Sequence, residues 1–398
     1  MTRNLLALAV GCALAGATAR AQLRSDLIES ARAEKEAHLT PETSPKAERR
    51  LVWAQNTLVY RLLTGDANGF GVSFGEIAPE SGFSLGPSYR RNDLWSGRLT
   101  FSVAARGSIN TSYLGRLDVG LPGLLRGRAF ADFSVVHRNV SEMAYYGPGP
   151  DSEKTGRSNY RLEDTDVQLR PGLSLLRGLR FGAIGSYLAV NVGPGHSSRY
   201  ISTEKQFGPV VDQTNFLRGG GFVEYDWRDR RSNSTSGGRY SAQYLRFLDQ
   251  NSTNSSFFRV DLAATQHISL FNRTRVFTLH GASSLTNTHS AGHVPFYLQP
   301  TLGGSETLRG YRAFRFYGNN SVLVNAEHRW ELSPVVDLVA FMDAGKVFDR
   351  WSQWNLHALE SDVGFGLRFK YRNQAALNFD TGFSHEGFQV WFRVNNLL

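Results

Sequence analysis

The stretch LGGSETLRGYRAFRFYG, Leu302 to Gly318, decides how the whole chain is read. Gly303, Gly304, Gly310 and Gly318 make it a poor strand, because glycine has no side chain to pack and loses more backbone freedom on ordering than any other residue. Arg309, Arg312 and Arg315 load it with charge. The sequence on both sides alternates as strands do, so these residues form a loop. Long loops inside a compact fold are uncommon, and they are usually functional or disordered. Disordered segments are poor in aromatic side chains, whereas this one carries Leu308, Tyr311, Phe314, Phe316 and Tyr317. The loop is therefore expected to fold back and pack against something.

Outward from this loop, the chain from Gly69 to its end falls into period-2 segments of about ten residues separated by turns, the pattern of a membrane-spanning barrel. In Asp362 to Tyr371, Val363, Phe365, Leu367 and Phe369 take one side, and Asp362, Gly364, Gly366, Arg368 and Lys370 take the other. In Phe388 to Leu398, Phe388, Val390, Phe392 and Val394 alternate with Gln389, Arg393 and Asn395. One strip is apolar and the other charged. A soluble barrel would bury the charged strip at heavy cost, and a water-filled lumen removes that cost. About sixteen such segments can be counted, among them 126–138 and 158–170. The expected fold is all-β: a transmembrane antiparallel β-barrel with a long extracellular loop folded into its lumen.

Residues 1–21 read as a secretory signal, with Arg3 before an apolar run from Leu5 to Ala15 and Ala19-Arg20-Ala21 as a small-x-small cleavage site. The only cysteine, Cys12, lies inside it, so cleavage after Ala21 leaves a chain without thiol chemistry. Gln22 to Asp66 is polar, interrupted by Pro41 and Pro45, and puts Leu51, Val52, Leu58, Val59 and Leu62 on one helical face. It reads as a short periplasmic segment, possible as a helix, ahead of a barrel over 67–398. The chain carries a formal charge of +9, spread along its length, which suits a basic lumen or rim rather than nucleic acid. Its ten histidines are scattered. No Cys/His cluster has metal spacing and no Ser/His/acid trio shares one face. No catalytic residue, metal or cofactor is expected.

Four motifs then point the same way. Leu308-Arg309-Gly310-Tyr311 resembles the arginine-glycine-aromatic signature of the BamA/TamA family of outer-membrane assembly barrels, the bacterial surface antigen barrels. Asp226, Arg228 and Asp229, closed by Gly237, resemble that family's strand-end turn, although Ser236 stands where a proline is usual. Glu327, inward by parity with Asn325 and Arg329, sits where the family has a glutamate before its basic residue. Asp343, inward by parity with Asp337, lies in Phe341-Met342-Asp343-Ala344-Gly345, close to the family's Phe-x-Asp-x-Gly. The resemblance covers Gly219 to Leu398, with a looser echo in Tyr145-Tyr146-Gly147-Pro148-Gly149.

The resemblance implies a bacterial outer-membrane location, with the loop held in the lumen by Arg309 against Glu327 and Asp343. It implies insertion or translocation of outer-membrane or secreted proteins. The partners would be outer-membrane lipid and lipopolysaccharide, unfolded polypeptides and a periplasmic protein. Two features depart from the family: Gln22 to Asp66 is too short for a POTRA domain, and the chain ends in Leu397-Leu398 rather than an aromatic residue. A gated pore or structural barrel without assembly activity is the second reading.

Overall fold

The computed structural model describes residue 30 and residues 68–394, apart from 209–212, 252–253, 271–273, 289–291 and 372–373. The expected signal at 1–21 lies outside the described residues, as does nearly all of the segment at 22–66. Sixteen strands form one antiparallel sheet in chain order. They are β1 (Phe70–Glu76), β2 (Phe83–Leu94), β3 (Leu99–Ser108), β4 (Tyr113–Gly123), β5 (Ala129–Tyr145), β6 (Ser158–Leu176), β7 (Leu179–Pro194) and β8 (Phe216–Asp226). The second half comprises β9 (Gly237–Asp249), β10 (Phe257–Leu270), β11 (Arg275–Thr288), β14 (Asn320–Ser333), β15 (Val336–Phe348), β16 (Glu360–Tyr371), β17 (Gln374–Ser384) and β18 (Gly387–Val394). Two short strands inside the long loop, β12 (Thr301–Leu302) and β13 (Phe316–Tyr317), pair with each other in a separate two-stranded sheet.

The sheet curls until β1 and β18 lie side by side. No helix among the described residues is long and apolar enough to cross a membrane. The connections alternate in length. One end carries short turns such as 177–178 and 334–335, and the other carries 146–157, 195–215, 289–319 and 349–359. In outer-membrane barrels the long loops are extracellular.

The two faces invert the rule of soluble proteins. On the outward face Phe365, Phe388 and Phe392 are each more than half exposed, while inward-facing Asp343 and Asp380 are fully buried. The inward charges are paired: Lys370 with Asp337 at 2.6 Å, Arg138 with Asp164 at 2.6 Å, Arg180 with Asp132 at 2.9 Å. Apolar clusters inside the barrel gather around the incoming long loop. Phe247 stacks on Phe257 at 4.3 Å, and Tyr145 meets the loop's Tyr317 edge-on at 4.9 Å.

β5 and β6 run well beyond the expected 126–138 and 158–170. A bulge between Val140 and Met143 restarts their ladder, which continues to Tyr145 opposite Ser158. The extra turns are held by contacts that alternation does not encode: Tyr145, Tyr160 and Tyr317 form one buried cluster. The barrel geometry makes a direct prediction. Phe365→Arg, on the lipid-facing side, should destabilise the barrel by about 2–4 kcal/mol, while Gln243→Arg on the lumen side should stay within about 0.5 kcal/mol. Urea midpoints of the protein folded into lipid vesicles measure both, and equal losses would overturn the assignment of faces.

Candidate functional site

The long loop enters the lumen and turns on Gly303 and Gly304, whose φ values of 105° and 111° lie in the left-handed region that favours glycine. A Cβ at Gly303 would lie 2.3 Å from the Arg312 carbonyl oxygen. The turn is closed by Gly304 N–H donating to Leu308 O at 3.2 Å and Tyr311 N–H donating to Leu308 O at 3.1 Å. Leu308 and Tyr311 are fully buried there.

Arg309 leaves this turn toward β14 and β15. Its Nε and Nη2 donate to Asp343 Oδ2 and Oδ1, both at 2.8 Å, and Nη1 donates to Glu327 Oε2 at 3.0 Å. Its backbone N–H also donates to Asp343 Oδ2, at 3.2 Å. The guanidinium lies 3.5 Å over the Phe341 ring. A planar fork fits this arrangement and an ammonium does not. Asn325 Nδ2 completes the seat by donating to Asp343 Oδ1 and to Thr307 O, each at 2.8 Å. These contacts follow from strand parity, because Asn325 is opposite Asp343 in the β14–β15 register.

Gly310 lies flat on the wall. A Cβ there would sit 2.5 Å from Asp362 Cβ, and a Cβ at Gly382 would sit 2.5 Å from the Arg309 carbonyl carbon. The loop backbone therefore needs glycine on both surfaces in contact. Trp391 Nε1 donates to Arg309 O at 2.7 Å, and Ser384 Oγ donates to Gly310 O at 2.9 Å. The Tyr311 hydroxyl donates to Glu360 Oε2 at 2.7 Å. The four loop residues, Glu327 and Asp343 thus meet in one place.

The strand-end turn does not join them. Asp226 accepts Nε and Nη2 of Arg228 at 2.9 and 2.7 Å, and Asp229 accepts Ser234 Oγ and Thr235 Oγ1, both at 2.7 Å. Burial would raise the Asp229 pKa, but the hydrogen bonds from Thr235 and Ser234 outweigh it and hold the carboxyl below its ordinary range. Gly237, at φ 93°, closes the turn. This knot sits at the short-turn end, and its link to the charged wall is Arg329 Nη2 donating to Ser234 O at 2.5 Å.

Sequence reading missed three groups here. Arg368 bridges Glu327 at 3.4 Å and Asp380 at 2.5 Å, and Arg393 reaches the same Asp380 at 3.1 Å. Parity places all of them inward, so the signal was present without a partner. Arg315 is buried and ties Glu386 at 2.8 Å to Ser152, whose carbonyl accepts at 2.6 Å. Trp391 is the one aromatic residue on the inward side of β18. Among the described residues no cluster has the makings of a metal site.

Comparison with known proteins bears on the family and the fold. The Omp85 superfamily domain matches residues 64–389. The fold is similar to that of BamA from Haemophilus ducreyi lacking POTRA domains 1–3, with TM-score 0.62 and 14% identity over 82% of this chain and 69% of that one. It is also similar to CdiB from Escherichia coli, with TM-score 0.56 and 14% identity over 82% of this chain and 62% of that one. No curated protein matches the sequence.

The seat sets an order of effects. Arg309→Ala strands the buried Asp343 carboxylate, a change worth about 3–5 kcal/mol for a fully desolvated pair and less beside lumen water. Asp343→Ala leaves Arg309 its bond to Glu327, so it should cost less. The double variant should be no worse than Arg309→Ala alone. Protease cutting between Leu302 and Gly318 in intact cells, with the unfolding midpoint, reads all three, and simply additive effects would dissolve the pairing.

Proposed function

This chain belongs to the Omp85 superfamily of outer-membrane barrels, and on that premise we propose that it inserts or translocates other polypeptides at the outer membrane. The observation that carries this reading is the seam. Every neighbouring pair of strands from β1 to β18 is joined by a hydrogen-bonded ladder, whereas β1 and β18 lie together with none among the described residues. The Val394 carbonyl oxygen is 3.5 Å from where a Cβ on Gly75 would stand. Parting this line breaks no ladder, and an open strand edge is a template for a strand of another chain.

A cavity of about 350 Å³ lies at the same place, lined by Gly75, Glu76, Arg393 and Val394 and by Ser305 and Glu306 of the lumen loop. The loop thus reaches the seam from inside. Arg309 holds it there through the seat on β15, and Trp391 of β18 bonds its backbone. In this reading the loop sets the shape of the lumen side of the gate. Export with cleavage after Ala21, a periplasmic position for 22–66 and a periplasmic partner belong to the same proposal.

A photocrosslinking amino acid at Phe70 on β1 or Val390 on β18 should capture unfolded outer-membrane polypeptides in living cells. The same probe at Leu279, on the outward wall of β11, should not. Capture that is absent at the seam, or equal at the wall, would overturn the proposal. Steady ion conductance alongside absent capture would favour the gated pore.

A further inference from the structure

The loop at 349–359 folds outward, over the lipid-facing wall rather than over the lumen. Trp351 Nε1 donates to Thr286 O at 2.7 Å and meets Phe258 edge-on at 6.2 Å. Trp354 Nε1 donates to Ser283 Oγ at 3.3 Å. Beneath this overhang lies a cavity of about 510 Å³, lined by outward residues of β8, β9, β10, β11 and β14 together with Trp354 and Leu356. Its floor includes Ala242, Leu262, Gly281 and Val324. Register places these on the outer face: Ala242 is opposite Leu262, Leu262 opposite Ser283, and Gly281 opposite Val324.

The depth of the floor is not forced by the wall. A Cβ on Gly281 would find its nearest neighbour, Leu323 O, at 3.9 Å, and its φ is not in the left-handed region. A larger side chain there has room, and what it would fill is the cavity. The space opens toward the bilayer, so hydrocarbon is the medium in contact with it.

The rim is charged. Lys346 is opposite Val322 in the β14–β15 register, at the edge of the cavity's floor. Its Nζ donates to Asn355 Oδ1 at 2.6 Å and His357 O at 3.0 Å, two acceptors among the described residues for the three protons of an ammonium. Arg350 is exposed nearby, and Asp349 is the one acid from 346 to 359. The rim therefore carries net positive charge at the long-loop end, next to an apolar slot.

From this arrangement we propose that the cavity binds an acyl chain of a phosphorylated, multiply acylated outer-leaflet glycolipid of the lipid A class. The chain lies under Trp354 and Leu356, and Lys346 meets a phosphate. The site rests on the outer wall and on the membrane location, and is independent of the seam and its proposed substrates.

Native mass spectrometry of the detergent-purified full chain, incubated with purified lipid A or with phosphatidylglycerol, tests it. The parent should retain lipid A in preference to phosphatidylglycerol. Lys346→Gln should lower lipid A retention about fivefold, the equivalent of about 1 kcal/mol for one basic residue at an anionic surface. Gly281→Leu should lower it about tenfold by displacing acyl methylenes. Gly219→Leu, where no atom lies within 4 Å of the new Cβ, lies outside the cavity and should bind as the parent does. Heat-modifiable gel mobility confirms folding, and Lys346→Gln decides the matter if Gly281→Leu fails to fold. Unchanged retention in the two cavity variants would overturn the site. So would equal loss in Gly219→Leu, and equal retention of phosphatidylglycerol would overturn the choice of lipid.

Discussion

The structure turns on a guanidinium held inside a barrel. Arg309 joins a fully buried aspartate, a second carboxylate and an aromatic face within one lumen seat. A buried charge is tolerable only when it is paired and hydrogen-bonded, and here the obligation runs both ways. Asp343 needs the loop as much as the loop needs Asp343. This mutual requirement offsets part of the entropy lost in ordering a long loop, about 1–2 kcal/mol per residue of backbone. Leu308 and Tyr311 add apolar burial, but the fork of Arg309 fixes the register.

The charge network continues from that seat along the last strands. Glu327 passes from Arg309 to Arg368, and Asp380 passes from Arg368 to Arg393 on β18. The wall from β14 to β18 is thus stapled inside by ion pairs as well as by ladders. On the other side of the line between β18 and β1, Arg106 reaches the Phe74 backbone carbonyl at 3.1 Å. Among the described residues, the wall is stapled up to one edge and free of ladder hydrogen bonds across it.

Much of the fold was legible because strand alternation is a local rule. Asp343 and Glu327 could be placed inward by counting from Asp337 and Asn325, and the glycines of the loop announced a turn that no strand would tolerate. What was illegible is what crosses space. Trp391 meets Arg309 across the lumen, and Arg315 joins Ser152 to Glu386 over long sequence separations; period-2 patterning carries no word on such partners. The continuation of β5 past Val140 rests on a tyrosine cluster completed by the loop itself. The outward fold of 349–359 is invisible for the same reason, since its tryptophans find β10 and β11, not their neighbours in sequence.

The close approach of Gly310 and Gly382 under the lumen loop also bears on the order in which the molecule can be completed. The turn at Leu308–Tyr311 precedes in the chain the groups that bond it: Asp343 is on β15, Glu360 on β16, Ser384 on β17, and Trp391 on β18. A nascent chain that has made β11 carries an arginine with nowhere to go. The resting place begins with Glu327 and Asp343 on β14 and β15 and is complete only when the final hairpin adds Ser384 and Trp391, and such long-range closures come late because chain entropy must be overcome first. Seating of the loop is therefore a report that the last strand has arrived. A barrel arrested short of β18 would be distinguishable from a finished one by a loop turn lacking its Trp391 bond, long before any partner tested its edges.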